Sequence, residues 1–525
     1  MQRNIRNKLL YAAIILVLIG FAVMVSTRHK TAKSADSPQA NPSPAEIRSA
    51  VVAGQFYPEN PDELRGAIRY YLDDAVVRSI ESPVALIVPH AGYVFSGQIA
   101  ADAFKQVEGK SISTVIILGT NHTTAGFRGA SIWPRGVFRT PLGDAPIDEE
   151  LADKLMAADD RITFRRELHA REHSVEVQIP FIQTILPNAK IVPLVIGSTD
   201  FDICRDLGHS IASVIQNKSV LIVASSDLSH YPTHEGAVLS DGHVLRAVAT
   251  LEPQKVTQAI SEEMSRGTPG LSTCACGEGP ILTAMFAAKE LDATHAIVVS
   301  YANSGDTPLG EMDRVVGYGA VVLARGPGES DVSALMAKEP ESSQSPLSPE
   351  QKHYLLDLAR RTIDRYLTTG TAPLARPSDA ALYAKRGAFV TLKDRGRLRG
   401  CIGHMTEDRP FCQVISAMAL QSAFNDRRFQ PVTEAEWKNL SIEISALTPY
   451  QKIDSPDKIV IGRDGVLLRK HGSSAVYLPQ VAPEQGWNRD EMLMHLCEKA
   501  GLGGDCWKRD AELFIFQAEV FGEGE

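Results

Sequence analysis

The feature that most constrains the fold is a regular alternation of short β-branched runs with amphipathic stretches between about Ile47 and Arg325. Six of these runs have the apolar composition that is typical of buried strands in an α/β protein: Val84–Val88, Val115–Leu118, Ile191–Ile196, Val220–Val223, Ala296–Val299 and Ala320–Leu323. Helical periodicity marks the stretches between them: Asp62–Leu72, Gly97–Gln106, Val175–Leu186, Gly242–Thr250 and Pro280–Leu291. The alternation predicts an α/β domain over residues 47–326, with a largely parallel sheet between two layers of helices.

A second globular region follows a linker. Residues 327–349 are rich in Gly, Ser, Pro and Glu and have no sustained periodicity, which is typical of a linker. Residues 350–525 open with a strongly amphipathic helix at His353–Leu367. Strand-like runs then mix with helices: Phe389–Leu392, Gln413–Ala423, Ile442–Leu447, Val466–Leu468, Arg489–Ala500 and Phe514–Val520. This order predicts an α+β domain.

The N-terminus carries an apolar segment, Leu9–Val25, that follows three basic residues at positions 3, 6 and 8. Its length is near the lower limit for spanning a bilayer, and basic residues rather than a small-x-small cleavage site follow it. The pattern favours an uncleaved membrane anchor within residues 1–30 over a cleaved signal peptide, with a tether over residues 31–46. We therefore expect a single-pass inner-membrane protein whose bulk is periplasmic; basic residues on both flanks leave a cytoplasmic orientation open.

Charge and cysteine usage exclude several classes of protein. The chain has 54 Lys and Arg against 63 Asp and Glu, and its folded part contains no dense basic block, so no nucleic-acid partner is expected. Seven cysteines scattered over 525 residues do not form the pattern of a disulfide framework. Four of them are expected to be packing residues: Cys204, Cys412, Cys497 and Cys506.

Polar clusters follow four of the predicted strands directly, at Pro89–Tyr93, Gly119–His122, Ser225–His230 and Ala302–Asp306. Ligands of open α/β sheets bind beyond the carboxyl ends of the strands. Two further clusters, Arg171–Glu176 and Cys274–Pro280, open helices, and the amides at a helix N-terminus favour a thiolate. We predict that His90, His122 and Cys276 share one site.

Some residues of these clusters have two interpretations. His173 and Glu176 are three residues apart and are either a ligand pair or a capping and supporting pair. Cys274 is either a resolving partner for Cys276 in a thiol-based redox protein or a buried core residue. The remaining histidines of this region are expected on the surface or in packing: His169, His209, His234, His243 and His295.

The segments VPHAGYVFSGQIAADAF, ILGTNH, FRTPLGD, EHSVEVQIPF, SSDLSHY and CGEGPI, in this order, resemble the Memo family over nearly all of residues 51–325. That family shares the fold of the class III extradiol dioxygenases, non-haem iron enzymes that open catechol rings. The resemblance implies that His90, His122 and Cys276 bind iron or copper, and that Asp227 and His230 line the same pocket, with His230 as the acid–base residue. Further pocket residues are expected from the same motifs: Tyr93, Asn121, Glu172, His173 and Glu176.

One departure from the dioxygenase pattern affects the expected chemistry. Oxygen-activating iron sites usually combine two histidines with a carboxylate, whereas Cys276 stands where that carboxylate is expected. Glu278 is near in sequence but has no evident ligand role. Thiolate ligation suits Fe(II), Cu(I) or Zn, so catechol ring cleavage does not follow from the shared fold.

The second domain has a candidate site around Cys401. The segment Phe389–His404 is predicted to form two strands joined by a tight turn, and Cys401 follows Arg399 and Gly400. A nearby Arg lowers a thiol pKa, and Gly lets a ligand approach the backbone closely. The alternative is a buried Cys in a Gly-kinked strand. Three positions along a strand separate Cys401 from His404, which argues against direct pairing.

Further motifs, DRRFQPVT and LPQVAPEQGW, together with FVTLKDRGRLRGCIG, resemble the AMMECR-type domain over about residues 350–522. Matching to this domain suggests seven pocket residues: Arg399, Gly400, Cys401, Asn425, Asp426, Arg428 and Gln480. Memo-like and AMMECR-type proteins occur beside a radical S-adenosylmethionine protein in the AmmeMemoRadiSam system. The chain resembles a fusion of the first two, which implies a common pathway or substrate and makes the radical protein a candidate partner.

Two functions are compatible with these patterns. The first is a metal-dependent, oxidoreductase-like enzyme that acts on an unidentified small molecule, with O2 as a candidate co-substrate and iron or copper as the cofactor. The second is a non-catalytic module that handles metal or binds a peptide or protein, with the AMMECR-type domain as its docking partner.

Overall fold

The computed structural model describes residues 46–77, 80–326, 328, 331–336 and 346–523. The predicted anchor and nearly all of the tether, residues 1–45, lie outside the described residues. Within the described part of the chain, no helix combines the length and the apolar character needed to cross a membrane; the longest, Pro349–Thr369, is amphipathic and charged. This finding contradicts the predicted localisation as a single-pass inner-membrane protein.

The N-terminal domain is built on an eight-stranded mixed sheet and a small three-stranded one. The strands are β1 Ile47–Ser49, β2 Ser82–Val88, β3 Thr114–Thr120, β4 Ala130–Ile132, β5 Val137–Thr140, β6 Gly143–Pro146, β7 Ile162–Thr163, β8 Lys190–Ile196, β9 Val220–Ser225, β10 His295–Asn303 and β11 Gly317–Arg325. The large sheet has the order β10-β11-β2-β9-β3-β8-β4-β7, and the small one β1-β5-β6. Strands β2, β9, β3 and β8 are parallel, whereas β11 is antiparallel to both of its neighbours.

Helices cover both faces of the large sheet. They are α1 Pro61–Asp73, α2 Tyr93–Lys105, α3 Glu149–Ala158, α4 Arg166–His169, α5 Ile179–Ile185, α6 Phe201–Ile215, α7 His234–Ala249, α8 Pro253–Arg266, α9 Glu278–Glu290 and, in the linker, α10 Val332–Met336. Successive residues of a strand point to opposite faces, so Ala85 and Ile87 belong to one hydrophobic cluster while Leu86 and Val88 belong to the other. The two-sided burial explains why these strands are continuously apolar.

Two elements of this domain differ from the prediction. The predicted helix Val175–Leu186 is a 3₁₀ turn at Glu176–Gln178 followed by the short α5. The predicted linker contains α10, in which Val332 is buried and contributes to the same core cluster as α7. A short apolar segment in a polar linker folds here because α7 offers it a surface.

The C-terminal domain contains two four-stranded antiparallel sheets. Its strands are β12 Ala388–Asp394, β13 Arg397–His404, β14 Leu440–Leu447, β15 Gln451–Ile453, β16 Gly465–Lys470, β17 Ser473–Tyr477, β18 Glu512–Phe516 and β19 Ala518–Gly522, and its helices α11 Pro349–Thr369, α12 Phe411–Phe424, α13 Glu434–Trp437, α14 Val481–Gln485 and α15 Arg489–Lys499. The sheet orders are β13-β12-β14-β19 and β15-β18-β16-β17. An α+β domain with helices against antiparallel sheets is the predicted class.

Local sequence signals set several boundaries in this domain. Ser348 and Gln351 form a capping box at the start of α11, and Gly370 ends that helix in the left-handed conformation. Arg395 and Gly396 both have positive φ, at 49° and 79°, as the two-residue turn between β12 and β13 requires. The predicted single strand Phe514–Val520 is instead two strands, β18 and β19, which belong to different sheets.

Cys497 and Cys506 are buried, as expected for packing residues, but they also form a disulfide that the scattered cysteine pattern did not predict. The bond links the end of α15 to a 3₁₀ turn at Cys506–Lys508. Their sequence separation of nine residues is unremarkable, and only the packing of α15 places the two thiols together.

Candidate metal centre

The parallel strands of the large sheet bring the predicted ligands to one edge. His90 follows β2, His122 follows β3, and Cys276 lies just before the start of α9. One nitrogen from each imidazole and the Cys276 Sγ lie within 4.8 Å of one another. A second group with the same spacing contains His122, Glu172 and His173. The arrangement forms a compact cluster of nitrogen and sulfur donors beyond the carboxyl ends of the strands, where ligands of such sheets bind.

His90 is held in one tautomer by the residues behind it. Its Nδ1 lies 3.0 Å from Ser225 Oγ, and Ser225 Oγ donates its single proton to the Ser174 carbonyl at 2.7 Å. Gln178 Nε2 donates to the same Oγ at 2.9 Å. Because the Ser225 proton is already engaged, His90 Nδ1 must be the donor in its bond to Ser225. His90 Nε2 is therefore the nitrogen that faces Cys276 Sγ, 3.1 Å away, and the one that a metal ion would use.

His122 is oriented by a carboxylate. Its Nδ1 lies 2.9 Å from Glu172 Oε1, and its backbone amide donates to Glu172 Oε2 at 2.8 Å. Glu172 is buried, which favours the neutral acid, but the bonds from His122 outweigh burial and lower the pKa of the carboxyl. An ionised Glu172 accepts the Nδ1 proton and leaves His122 Nε2 free, as in the carboxylate–histidine pairs behind many metal sites.

Cys276 is surrounded by imidazoles. Burial raises the pKa of its thiol, but the charges and hydrogen bonds of His90, His122 and His230 lower it well below its usual value. The same interactions act on the rings: burial lowers the pKa of His122, while Cys276 and Glu172 raise it to about 10. In the metal-free chain the cluster is thus a thiolate among partly protonated imidazoles, and a metal ion would replace those protons.

His173 closes one side of the cluster. Its ring stacks on His122 at 4.7 Å and lies 5.3 Å from His90, edge to face. Phe56 packs against it at 4.8 Å. Burial, together with the neighbouring His122 and His90, lowers the pKa of His173 to about 3, so the ring is neutral at physiological pH. A neutral imidazole at this position can accept or donate a hydrogen bond beside His90 and His122.

His230 and Asp227 come from the segment after β9. The His230 ring lies beside Cys276, and its buried Nε2 has no hydrogen-bond partner among the described residues. Asp227 Oδ1 accepts from the amides of His90 and Ala91, at 2.7 and 3.2 Å. Asp227 therefore fixes the loop that carries His90, and its influence on His230 is electrostatic rather than through a direct hydrogen bond.

Three predicted pocket residues have structural roles. The Tyr93 hydroxyl is buried and donates to the Val177 carbonyl at 2.7 Å. Asn121 Oδ1 accepts from the amides of residues 123 and 124 and so shapes the loop that carries His122. Glu176 accepts from Arg48, from the amides of residues 51 and 52, and from Tyr57. Of the two interpretations of the His173–Glu176 pair, these contacts favour the supporting role for Glu176.

The C-terminal cluster around Cys401 is organised differently. The Cys401 amide donates to Asp426 Oδ2 at 2.9 Å, and the Thr391 hydroxyl lies 3.3 Å from Cys401 Sγ. Asp426 is paired with Arg428 at 2.7 Å, and Arg428 also donates to the Cys401 carbonyl. The bonds from Arg428 lower the pKa of Asp426. The charged groups beside Cys401 are therefore engaged with one another.

The structure also shows where the other predicted residues of this domain lie. Arg399 pairs with Glu436, and Asn425 directly follows α12. Gly400 lies against α12, where a Cβ would meet the Ser422 carbonyl at 2.3 Å, so this glycine allows helix packing rather than ligand approach. His404 pairs with Asp408 and not with Cys401, as the strand spacing predicted. Gln480 is exposed before α14, beside the other sheet.

Sequence reasoning missed the residues behind the ligands. Ser174, Gln178 and Ser225 lie inside the quoted motifs, so their proximity to His90 could have been proposed once the ligands were paired. Arg48 carried no signal: it lies in β1 and binds the backbone of residues 169 and 172 as well as Glu176. Its role depends on a contact between segments more than 120 residues apart.

The family comparisons agree with this architecture. A family model described as Memo-like protein matches residues 48–322, and a model described as AMMECR1 matches residues 356–521. The chain therefore belongs to the Memo-like protein family and carries a C-terminal AMMECR1 domain, as the sequence motifs predicted.

Curated relatives match the N-terminal domain. A MEMO1 family protein of Desulfurococcus amylolyticus is 37% identical over 287 residues, which are 52% of this chain and 98% of that protein. A MEMO1 family protein of Methanobrevibacter smithii is 35% identical over 290 residues, 53% of this chain and 99% of that protein.

Among solved structures, the chain is similar to that of an uncharacterised protein from Pyrococcus horikoshii, with 40% sequence identity, coverage of 34% of this chain and 94% of that chain, and a TM-score of 0.32.

Proposed function

We propose that the chain is a metal-dependent protein in which His90, His122 and Cys276 hold one iron or copper ion. The observation that carries this proposal is the convergence of two imidazole Nε2 atoms, each freed by a proton-accepting partner on Nδ1, with a thiolate. Two imidazoles and one thiolate form a donor set suited to Fe(II), Cu(I) or Zn. Three protein ligands leave further coordination positions for a small molecule.

The side chains around the proposed ion divide the remaining tasks. A bound iron or copper ion would supply Lewis-acid and one-electron chemistry to a small molecule. His230, with its buried and unpartnered Nε2, holds or moves a proton beside Cys276. Neutral His173 offers a hydrogen bond beside His90 and His122. Glu172 and Ser225 keep the two ligand rings in place.

The substrate class and the partner are proposed from the pairing of the two domains. We assign the substrate to small molecules or peptides, with O2 as a candidate co-substrate, and we place the chain in an AmmeMemoRadiSam-type pathway with a radical S-adenosylmethionine protein as partner. What supports this is the pairing of the Memo-like and AMMECR1 domains in one chain.

The test is metal analysis of the purified chain under anaerobic conditions, before and after reconstitution with Fe(II) or Cu(I). We expect close to one metal ion per chain, and its loss in His90→Ala and in Cys276→Ser. Two matched controls are His209→Ala and Cys401→Ser, which change a histidine on α6 and a cysteine of the other domain. Retention of metal in both site variants, or no binding by the parent chain after reconstitution, would contradict the proposal.

A further inference from the structure

The two domains contact each other through polar groups, with hydrogen-bond donors on one domain and acceptors on the other. At one contact, Arg376 donates to the buried Asp102 at 3.1 Å and Arg365 pairs with Asp74 at 2.6 Å. At a second contact, residues 385, 409 and 413 of the C-terminal domain meet residues 235, 310 and 306 of the N-terminal domain. In each of these pairs the N-terminal domain supplies the acceptor and the C-terminal domain the donor.

The second contact acts on one loop. Residues 304–316, which join β10 to β11, are called the β10–β11 loop here. Gln413 Nε2 donates to Asp306 Oδ1 at 2.8 Å, and both side chains are buried. Arg409 Nη1 donates to the Gly310 carbonyl at 3.0 Å. Asp306 Oδ2 in turn accepts from the Asn303 amide at 2.7 Å, so the carboxylate joins Gln413 to the end of β10.

The β10–β11 loop and the start of β11 also bind the segment that carries His230. The amide of Leu228 donates to the Gly317 carbonyl at 2.8 Å and that of Tyr231 to the Val315 carbonyl at 2.6 Å. The amide of His234 donates to the Met312 carbonyl at 2.8 Å. These bonds make the loop a bridge with the C-terminal domain on one side and the His230 segment on the other.

The position of His230 depends strongly on that bridge. Its own amide is held by the Thr273 carbonyl at 3.0 Å, but its ring Nε2 has no hydrogen-bond partner among the described residues. The ring interacts with Cys276, and the backbone on both sides of the ring is held by residues 312–317. A shift of the loop would therefore change the distance between the ring and Cys276, with which the ring interacts.

We infer that Gln413 and Arg409 are positioning residues through which the C-terminal domain holds His230 against the metal centre. The role of His230 in this inference rests on the proposed function, whereas the contacts between the domains do not depend on it. The AMMECR1 domain thereby becomes a structural part of the N-terminal site.

The experiment exchanges the two partners of the buried bond in the full chain. Gln413→Glu places a second carboxylate against Asp306, and Asp306→Asn replaces the charged acceptor of Gln413 with a neutral amide, which weakens the bond. The double variant Gln413→Glu/Asp306→Asn restores an amide–carboxylate bond with the roles reversed, because the new side-chain amide at position 306 keeps one oxygen that can still accept from the Asn303 backbone amide. Hydrogen–deuterium exchange of residues 228–234 is the readout, with residues 190–196 of β8 as the internal control.

We expect exchange in residues 228–234 to accelerate about tenfold in each single variant, the effect of losing about 1.4 kcal/mol of local stability, and to return towards the parent rate in the double variant. Arg409→Ala, which removes the Gly310 bond without burying a charge, is expected to act in the same direction and serves if Gln413→Glu does not fold. The Co(II)-loaded chain provides a spectroscopic check: the single variants shift the visible bands, and the double variant restores them, at unchanged metal content.

Two outcomes overturn the inference: exchange in residues 228–234 that matches the parent chain in folded single variants and in Arg409→Ala, or a double variant that rescues neither exchange nor spectrum. Failure of the proposed function looks different. In that case the parent chain binds no Co(II), while the exchange data still decide whether the C-terminal domain holds the His230 segment.

Discussion

Each domain of the molecule has a cysteine in a polar cluster, but the two clusters differ in what surrounds the sulfur. Cys276 faces imidazoles whose other nitrogens are engaged by a serine and a carboxylate. Cys401 faces a threonine hydroxyl, while the neighbouring charges are paired with each other. A polar cluster is a candidate reactive site when hydrogen bonds fix one side of each side chain and leave the atoms on its other side free to bind a ligand. A cluster whose charged groups pair with one another has a structural role instead.

The largest effect that this comparison predicts concerns thiol reactivity. In the metal-free chain at pH 7, Cys276 should react with iodoacetamide about 100-fold faster than Cys401, because the neighbouring imidazoles keep its pKa low and the thiolate is the nucleophile. Both cysteines are half-buried residues, so residue exposure alone does not separate them. Peptide mapping by mass spectrometry measures both rates in one sample. Equal rates would remove the distinction between the two clusters.

A second prediction tests whether Glu172 orients His122 for metal binding. Glu172→Gln should weaken metal binding by about 10- to 100-fold, because the amide no longer holds the His122 Nδ1 proton as a carboxylate does. The matched control is Asp426→Asn, the corresponding carboxylate beside Cys401. We expect it to leave metal affinity unchanged. Competition with a coloured chelator gives both affinities, and an unaffected Glu172→Gln would show that His122 needs no orienting partner.

A third prediction asks whether the glycine before Cys401 serves packing. Gly400→Ala should destabilise the C-terminal domain by about 1–3 kcal/mol, because the new Cβ meets the Ser422 backbone carbonyl at 2.3 Å. Gly503→Ala is the control, since its Cβ would have no neighbour closer than 3.6 Å. Urea unfolding followed by circular dichroism compares the two. A neutral Gly400→Ala would reopen the possibility that this glycine leaves room for a ligand.

A further prediction concerns the difference in pH dependence between two buried carboxyls. Burial raises the pKa of Asp241 to about 7, despite its bonds from Ser229 and Tyr301. The folded chain then binds more protons at this group than the unfolded chain, so its contribution to stability falls as pH rises from about 4 to about 7. Asp426 behaves oppositely: bonds from Arg428 lower its pKa, so its contribution is lost as pH falls below about 4.

Asp241→Asn should therefore flatten the decline in unfolding free energy between pH 4 and pH 7, and Asp426→Asn should flatten the loss at acid pH. Urea unfolding at a series of pH values measures both. If Asp241→Asn left the slope between pH 4 and pH 7 unaltered, the carboxyl would not titrate there.

Much of the fold was predictable from local pattern. The apolar runs at Val84–Val88 and Val220–Val223 lie within β2 and β9, because continuous β-branched sequence is what a strand buried on both faces requires. The predicted strand Phe514–Val520 was wrong in one respect: it is interrupted at Gln517, and each half pairs with a different sheet. Strand composition reports burial, but only the partner strands decide which sheet a segment joins.

The sequence by itself determined that His90, His122 and Cys276 stand at strand and helix ends, and that the chain has two domains of the Memo-like and AMMECR1 families. The folded chain alone shows which nitrogen each imidazole presents, which charged groups around Cys401 pair with one another, and which residues of the C-terminal domain contact the β10–β11 loop. The physical reason is distance along the chain. Cys276 and His90 are 186 residues apart, and a hydrogen bond or a tautomer depends on partners that no local pattern specifies.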